Sequence, residues 1–316
     1  MNDDQIIDWL LDGDVAIQYQ VHRDLLRCER PDLKARIATE GWGAKYLSFR
    51  QSNGHWGLGF YQPKWISSHY TLLDLKNLCI SNENMLIRDT IRKILSEDIG
   101  PDGGINPSRL LTKSDVCING MFLNYASYFG ASENELNSIV DFILSQQLPD
   151  GGFNCQFNRK GATHSSMHST ISVIEGIRAY YLCGYNFRIE ALLKAEKASQ
   201  KFLLEHRLYQ SHQTGKTIDQ RMLMLSYPSR WRYDILRALD YFRLAGVDYD
   251  DRMADALDVL IKKRRTDNTW PLQCKHSGQA HFDMEKTGKA SRWNTLRALR
   301  VLKHFQKFKK IESQVH

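Results

Sequence analysis

Four residues of this chain have types and spacing that suit metal-assisted chemistry: Asp115 and Cys117, two apart, followed further on by His164 and His168. A thiolate, a carboxylate and an imidazole make a zinc set, and three protein ligands leave the fourth position open for a substrate, which is a catalytic pattern rather than a structural one. On a regular helix, residues two apart point to opposite faces. Asp115 and Cys117 can therefore share an ion only where Asp115 is the N-cap and Cys117 lies in the first turn. Either histidine could supply the imidazole. Plainer roles compete: a helix cap for Asp115, a small buried apolar residue for Cys117 and satisfied core polar groups for the histidines.

Around these four, basic and aromatic residues recur: Lys64 and His69, Arg109 and Lys113, Arg159, Arg230 with Trp231 and Tyr233, and Arg292 with Trp293. Repetition of basic side chains at successive helix starts, where four backbone N–H groups are free and the dipole favours anions, suggests an anionic substrate head. Trp231, Tyr233 and Trp293 could line an apolar cavity or stabilise a cation through their ring faces, or be plain core.

The elements that must position these residues read as nearly all helix. Only seven prolines occur, and segments such as Ile171 to Tyr181 and Leu236 to Leu244 carry apolar residues at three-and-four spacing. Turn signals punctuate them: Asn53-Gly54-His55-Trp56, Asp102-Gly103-Gly104-Ile105, Asp150-Gly151-Gly152-Phe153 and Asp267-Asn268-Thr269-Trp270. Their spacing follows a period of roughly 50 to 60 residues, and the longer gap before the last contains a degenerate copy near Phe202 to Gly215. A two-helix repeat of that length cannot bury its apolar face alone and must stack on its neighbours. The expected outer helices span about 33 to 51, 84 to 97, 132 to 147, 187 to 206 and 251 to 265. Inner helices should begin near Lys64, Asp115, His164, Ser229 and Ser291, with another supplied by Gln5 to Leu26.

The repeat resembles that of squalene and oxidosqualene cyclases: Tyr46-Leu47, Gln51, Gly54 and Trp56, echoed by Phe142-Ile143, Gln147, Gly151 and Phe153. The resemblance implies an all-α fold, an α/α toroid of about five to six helical hairpins closed around a central cavity, with residues 1–316 as a single domain. The Asp115-x-Cys117 and His168 positions are similar to the zinc site of protein prenyltransferase β subunits, in which Asp-x-Cys opens one inner helix and a histidine the next; this favours His168 over His164. In that family an arginine six residues before the aspartate, with a nearby lysine, holds the prenyl diphosphate, which corresponds to Arg109 and Lys113. Ile118 stands where the family has an aromatic residue, and the family's diphosphate-contacting histidine would fall near Ser67 rather than His69.

The expectation is a zinc-dependent, prenyltransferase-like enzyme. Asp115, Cys117 and His168 would bind the metal; Arg109 and Lys113 would neutralise a leaving diphosphate; His69, Arg230, Trp231, Tyr233 and Trp293 would contact a hydrophobic, anionic-headed substrate such as a prenyl diphosphate or lipid. The rivals are a metal-free terpene cyclase and a non-catalytic lipid- or protein-binding toroid. Asp248-Tyr249-Asp250-Asp251 matches the acid motif of class II terpene cyclases, but it opens an outer helix and reads as a cap.

Composition bounds the rest. With 42% hydrophobic and 25% charged residues, and no apolar run long enough to span a bilayer, no transmembrane helix is expected. The acidic start Met1-Asn2-Asp3-Asp4 is unlike a secretory signal, and six scattered cysteines without a CxxC pair suit a reducing compartment, so a cytoplasmic location is expected. A net charge of +7 favours anionic partners, yet the basic residues form no tract interleaved with aromatics, which argues against nucleic acid. The run from Lys303 to Lys310 could touch an anionic membrane surface, and a solvated last helix accounts for it more simply. Nothing in the chain encodes the second subunit that the protein prenyltransferases use.

Overall fold

The computed structural model describes residues 1–107 and 112–312. They are mainly helical, with a single two-stranded sheet among them. In chain order the α-helices are α1 (Asp3–Leu11), α2 (Val15–Val21), α3 (Pro31–Arg36), α4 (Gly41–Ser48), α5 (Ser68–Asn77), α6 (Met85–Glu97) and α7 (Val116–Tyr128). They continue with α8 (Glu133–Ser145), α9 (Phe157–Lys160), α10 (Met167–Leu182), α11 (Ile189–Glu205), α12 (Ile235–Leu244), α13 (Ala254–Lys262) and α14 (Arg292–Glu312). Strands β1 (Trp270–Pro271) and β2 (Ala290–Ser291) pair antiparallel, with Trp270 opposite Ser291. The chain gathers into two compact units: the first from Met1–Trp42, Leu203–Ser277 and the chain from Phe282 onward, the second from Gly43–Phe202 with Gly278–His281.

Two kinds of helix alternate within the second unit. Helix α6 buries one face only, through Ile87, Thr90, Ile91, Ile94 and Leu95, as an amphipathic surface helix does. By contrast α5 is buried from Ser68 to Leu75, and α7 at nearly every position from Val116 to Ser127. A helix that is covered all round is an interior one. The most extensive helix–helix contact among the described residues is between α7 and α10. It is possible because glycines face each other: a Cβ on Gly176 would lie 2.2 Å from the Gly120 carbonyl oxygen, and one on Gly120 would lie 2.6 Å from Val173 Cα.

The repeat read from the sequence has a hydrogen-bond counterpart. In each turn the residue closing the loop donates its backbone N–H to a polar side chain in the first turn of the following interior helix. The pairs are Trp56 to Ser68 Oγ at 3.0 Å, Ile105 to Asn119 Oδ1 at 2.6 Å, Phe153 to Thr170 Oγ1 at 3.0 Å and Trp270 to Thr295 Oγ1 at 2.9 Å. Both tryptophans also donate the indole N–H to the outer helix ten residues back, Trp56 to Tyr46 O and Trp270 to Leu260 O, each at 2.7 Å. This explains why a tryptophan suits the position: its ring fills the core while its one polar atom reaches a helix-end carbonyl as a second donor, beside Phe49 N on Tyr46 O and Lys263 N on Leu260 O. Trp56→Phe should keep the packing, remove the indole bond while Phe49 N still serves the Tyr46 carbonyl, and cost about 1 kcal/mol, read as a lowered urea midpoint. An unchanged midpoint would show that the indole bond does not hold the hairpin.

Three expected spans differ from the structure. The outer helix expected over 33–51 is broken between α3 and α4, because Gly41 adopts a left-handed φ of 57° and the Asp14 carboxylate takes the Trp42 N–H at 2.8 Å. The amphipathic segment Gln5 to Leu26 is likewise three pieces: α1 ends before Gly13, Asp14 caps α2 through Ala16 N, and a π-turn spans His22–Leu26. The interior helix expected from Ser229 starts at Ile235, where Asp234 caps it by accepting from Arg237 N.

Candidate functional site

Two aspartates of the glycine-rich turns deliver the candidate ligands in the second unit. Asp102 accepts from both Ser114 N and Ser114 Oγ at 2.7 Å, which clamps the segment leading into α7. One repeat later Asp150 takes Ser165 N at 2.8 Å and Ser165 Oγ at 2.5 Å, clamping the segment that leads into α10. The glycines beside them are crowded to different degrees: a Cβ on Gly151 would sit 2.8 Å from Ala198 O, and one on Gly103 would sit 3.3 Å from Ser138 O.

Asp115 follows at the N-cap position of α7, without a side-chain cap bond, and Cys117 lies in the first turn, the placement that the two-apart spacing requires. The Cys117 sulfur is bonded to that of Cys155, with the Cα atoms 6.0 Å apart. Cys155 is held by Ser169 in the first turn of α10: its N–H donates to Ser169 Oγ at 3.1 Å, and that hydroxyl donates to the Cys155 sulfur at 3.2 Å. Asn158 of α9 reaches back to Ser114 O at 3.1 Å, tying the two helix starts together. His168 is half-buried beside Ser169, also in the first turn of α10. His164 is exposed in the preceding loop, where its carbonyl accepts from Asn154 Nδ2 at 2.7 Å.

With the sulfurs joined, Cys117 has no thiolate to offer. Among the described residues no three His, Cys, Asp or Glu side chains gather as a metal shell. Asp115 and Cys117 stand at the start of α7 and His168 in the first turn of α10. The sequence reading of scattered cysteines missed the Cys117–Cys155 pair. The signal was present: Cys155 lies two residues beyond Phe153, in a turn at the same hairpin end as the start of α7.

The basic residues divide. Lys113 is exposed just before α7. Arg109 lies outside the described residues, as does the side chain of Arg159. Lys64 is affected most by burial, which lowers its pKa, while the Asp115 charge acts to raise it, so the two groups feel each other. His69 is fully buried among Phe60, Tyr61, Tyr70 and Tyr125, with Nδ1 3.1 Å from the Tyr125 hydroxyl. Burial first, and the Lys64 charge second, push its pKa down to about 3, so it is neutral at ordinary pH and brings no positive charge to an anionic head.

The remaining expected contacts belong to the first unit. Tyr233 is fully buried, and its hydroxyl donates to Leu208 O at 2.6 Å, a bond that pins it into the core. Trp293 is also core, stacked on Tyr227 with ring centroids 4.5 Å apart. Arg230 is buried with a left-handed φ of 52°, and Trp231 is half-buried with its ring 5.8 Å from that of His276. Asp250 caps the short turn Asp251–Met253 and pairs through both oxygens with Arg252, at 2.8 and 2.7 Å. The hydrogen bond from Arg252 holds its carboxyl below the usual range, which makes it a poor proton donor. No helix among the described residues is long and apolar enough to cross a membrane. No protein-family model matches the chain, and no curated protein matches it.

Proposed function

We propose that the protein is an enzyme built on the hairpins of an α/α toroid, acting on a hydrophobic substrate with an anionic head such as a prenyl diphosphate or another lipid. Its reacting centre is where α7 and α10 begin. The observation that carries this reading is the meeting of two sulfurs, Cys117 and Cys155, delivered by consecutive repeats whose helix starts are clamped by Asp102 and Asp150.

Reduction of that pair frees two thiols beside the Asp115 carboxylate, with the His168 imidazole in the neighbouring first turn. These are the donor types that zinc takes, and zinc there would supply a thiol or water of lowered pKa. The chain's own part is to hold the sulfurs at this spacing and to keep Ser169 against Cys155. Lys113, at the same hairpin end, suits the neutralisation of a leaving anion, and Arg109 is assigned the same role on its sequence position.

The test is metal analysis of protein purified under reducing conditions. Wild type should carry about one equivalent of zinc, and Cys117→Ala, Cys155→Ala and His168→Ala should each lose most of it, since each removes one of three protein donors from a site whose fourth position is open to the thiol or water. Zinc-free reduced wild type, or variants that keep the metal, would count against the centre. Release of diphosphate from a prenyl diphosphate, slowed in Lys113→Ala, is the matching activity assay. The class II cyclase reading is less well supported, because Asp250 is committed to Arg252.

A further inference from the structure

The first unit contains a pocket of about 140 Å³ lined by Asp24, Arg27, Arg243, Arg300, Lys303 and His304. Its position follows from local structure. The π-turn His22–Leu26 extends α2 and ends at Arg27, whose backbone is left-handed with φ 55°; such turns widen a helix locally and recur at functional sites. Helix α14 presents Arg300, Lys303 and His304 on one face, since residues three and four apart are neighbours. Lys303 Nζ donates to Leu25 O at 2.6 Å, and His304 Nε2 donates to Val247 O at 3.3 Å, which fixes both side chains against the pocket walls.

Among the described residues the charges here do not balance. Asp240 is surrounded by three guanidinium groups: Arg300, with Nε at 2.7 Å from one oxygen and Nη2 on the other; Arg243 at 2.9 Å; and Arg297 at 3.4 Å. Asp24 is covered by Arg23 at 2.6 Å and by Arg300 at 2.8 Å. Two carboxylates thus face four arginines, with Arg27 and Lys303 added at the pocket itself. A buried network serving only as a staple would match its charges, because burying a surplus is costly. Burial is the main cause that lowers the pKa of Arg243, with Arg300 adding to it against the attraction of Asp240, whereas at Arg300 burial is outweighed and Asp240 and Asp24 together raise the pKa. The carbonyls ending α12 do not oppose an incoming anion as bare acceptors, since Ala245, Gly246 and Val247 N–H groups bond Tyr241, Arg243 and Phe242 O.

We propose that this pocket binds a phosphate-type oxyanion, with Arg27, Arg243, Arg300 and Lys303 as its donors. Its size sets the ligand: drug-sized sites run to about 300–1,000 Å³, so this one admits a single tetrahedral head group with a few waters. Guanidinium forks pair with the oxygens of carboxylates and phosphates alike, and with four cationic side chains lining one pocket the more highly charged phosphate is the better match. The head group can come from free phosphate, a soluble phosphomonoester or a phosphatidic acid surface. The site uses first-unit residues only, so it stands or falls separately from the sulfur centre.

Isothermal titration of the full chain with inorganic phosphate and with glycerol phosphate tests it. Saturable binding is expected, weakened about tenfold or more in Arg27→Glu and in Arg243→Met, because each removes a charge-assisted donor. Arg27 is exposed, so Arg27→Glu keeps the measurement readable where Arg243→Met unfolds. Sedimentation with phosphatidic acid vesicles, against phosphatidylcholine controls, separates the sources. Pelleting lost in the same variants assigns the head group to a lipid, and soluble binding without pelleting assigns it to a free phosphate or phosphomonoester. No saturable binding in any arm, or binding unchanged in both variants, overturns the proposal.

Discussion

Gly176→Ala should lower the stability of this protein by about 3 kcal/mol or more, at the upper end of the usual cost of overpacking. In an exposed helix the same change gains up to about 1 kcal/mol, since alanine is the better helix former, so the sign itself is diagnostic. The reversal follows from geometry: the new Cβ would lie 2.2 Å from the Gly120 carbonyl oxygen, a backbone atom that moves only if α7 and α10 separate. Gly120→Ala should act in the same direction, against Val173 Cα at 2.6 Å and Ser172 O at 2.7 Å. Urea unfolding followed by circular dichroism measures both. Because Gly120 is one turn beyond Cys117, the forced separation should also slow formation of the Cys117–Cys155 bond, scored by thiol titration. A Gly176→Ala protein as stable as wild type would mean that the two helices do not cross at these glycines.

Asp240→Ala is the second large effect, a loss of about 3–5 kcal/mol, because it strands Arg243, Arg297 and Arg300 without their shared counter-charge. The effect depends on pH. Burial alone would raise the Asp240 carboxyl, but the charges of Arg300 and Arg243 and the Arg300 hydrogen bond outweigh it and hold the pKa well below the usual range. A depressed folded pKa contributes stability that is present above the unfolded value, 3.8, and is lost as pH falls below it. Wild type should therefore lose this contribution only in strong acid. The gap between wild type and Asp240→Ala, measured by urea unfolding at neutral pH and again near pH 2, should be wide in the first case and narrower in the second. A gap that does not narrow would show that Asp240 is not charged in the native state. The same experiment bears on the phosphate pocket, since removing Asp240 increases the positive surplus; phosphate should stabilise this variant more than wild type.

How far the sequence could be read depended on the range of the interactions involved. The turn at Asp150-Gly151-Gly152-Phe153 was legible because its causes are local, a left-handed glycine and an apolar residue that must be buried, whereas the Asp150 clamp on Ser165, fifteen residues on, was not. Placement of Asp115 as N-cap and Cys117 in the first turn was legible for the same reason. The break at Gly41 was not, because it is stabilised by Asp14, 28 residues away from the Trp42 N–H that it accepts. Tyr233 and Trp293 illustrate another limit. An aromatic near a helix start has the same sequence signature whether it lines a cavity or fills the core, and here the Tyr233 bond to Leu208 O and the stacking of Trp293 on Tyr227 put both in the core.

From sequence alone come the helical class, the roughly 50-residue repeat with its glycine-rich turns, and the chemical types available at the helix starts, because periodicity and backbone preference act over a few residues. Tertiary structure alone decided that Cys117 meets Cys155 rather than standing free, that His69 is buried and neutral, and that Arg243 and Arg300 converge on Asp240 around a basic pocket. Those outcomes depend on which helices pack together. Close packing and desolvation join residues that the chain order keeps far apart, and no local pattern records them.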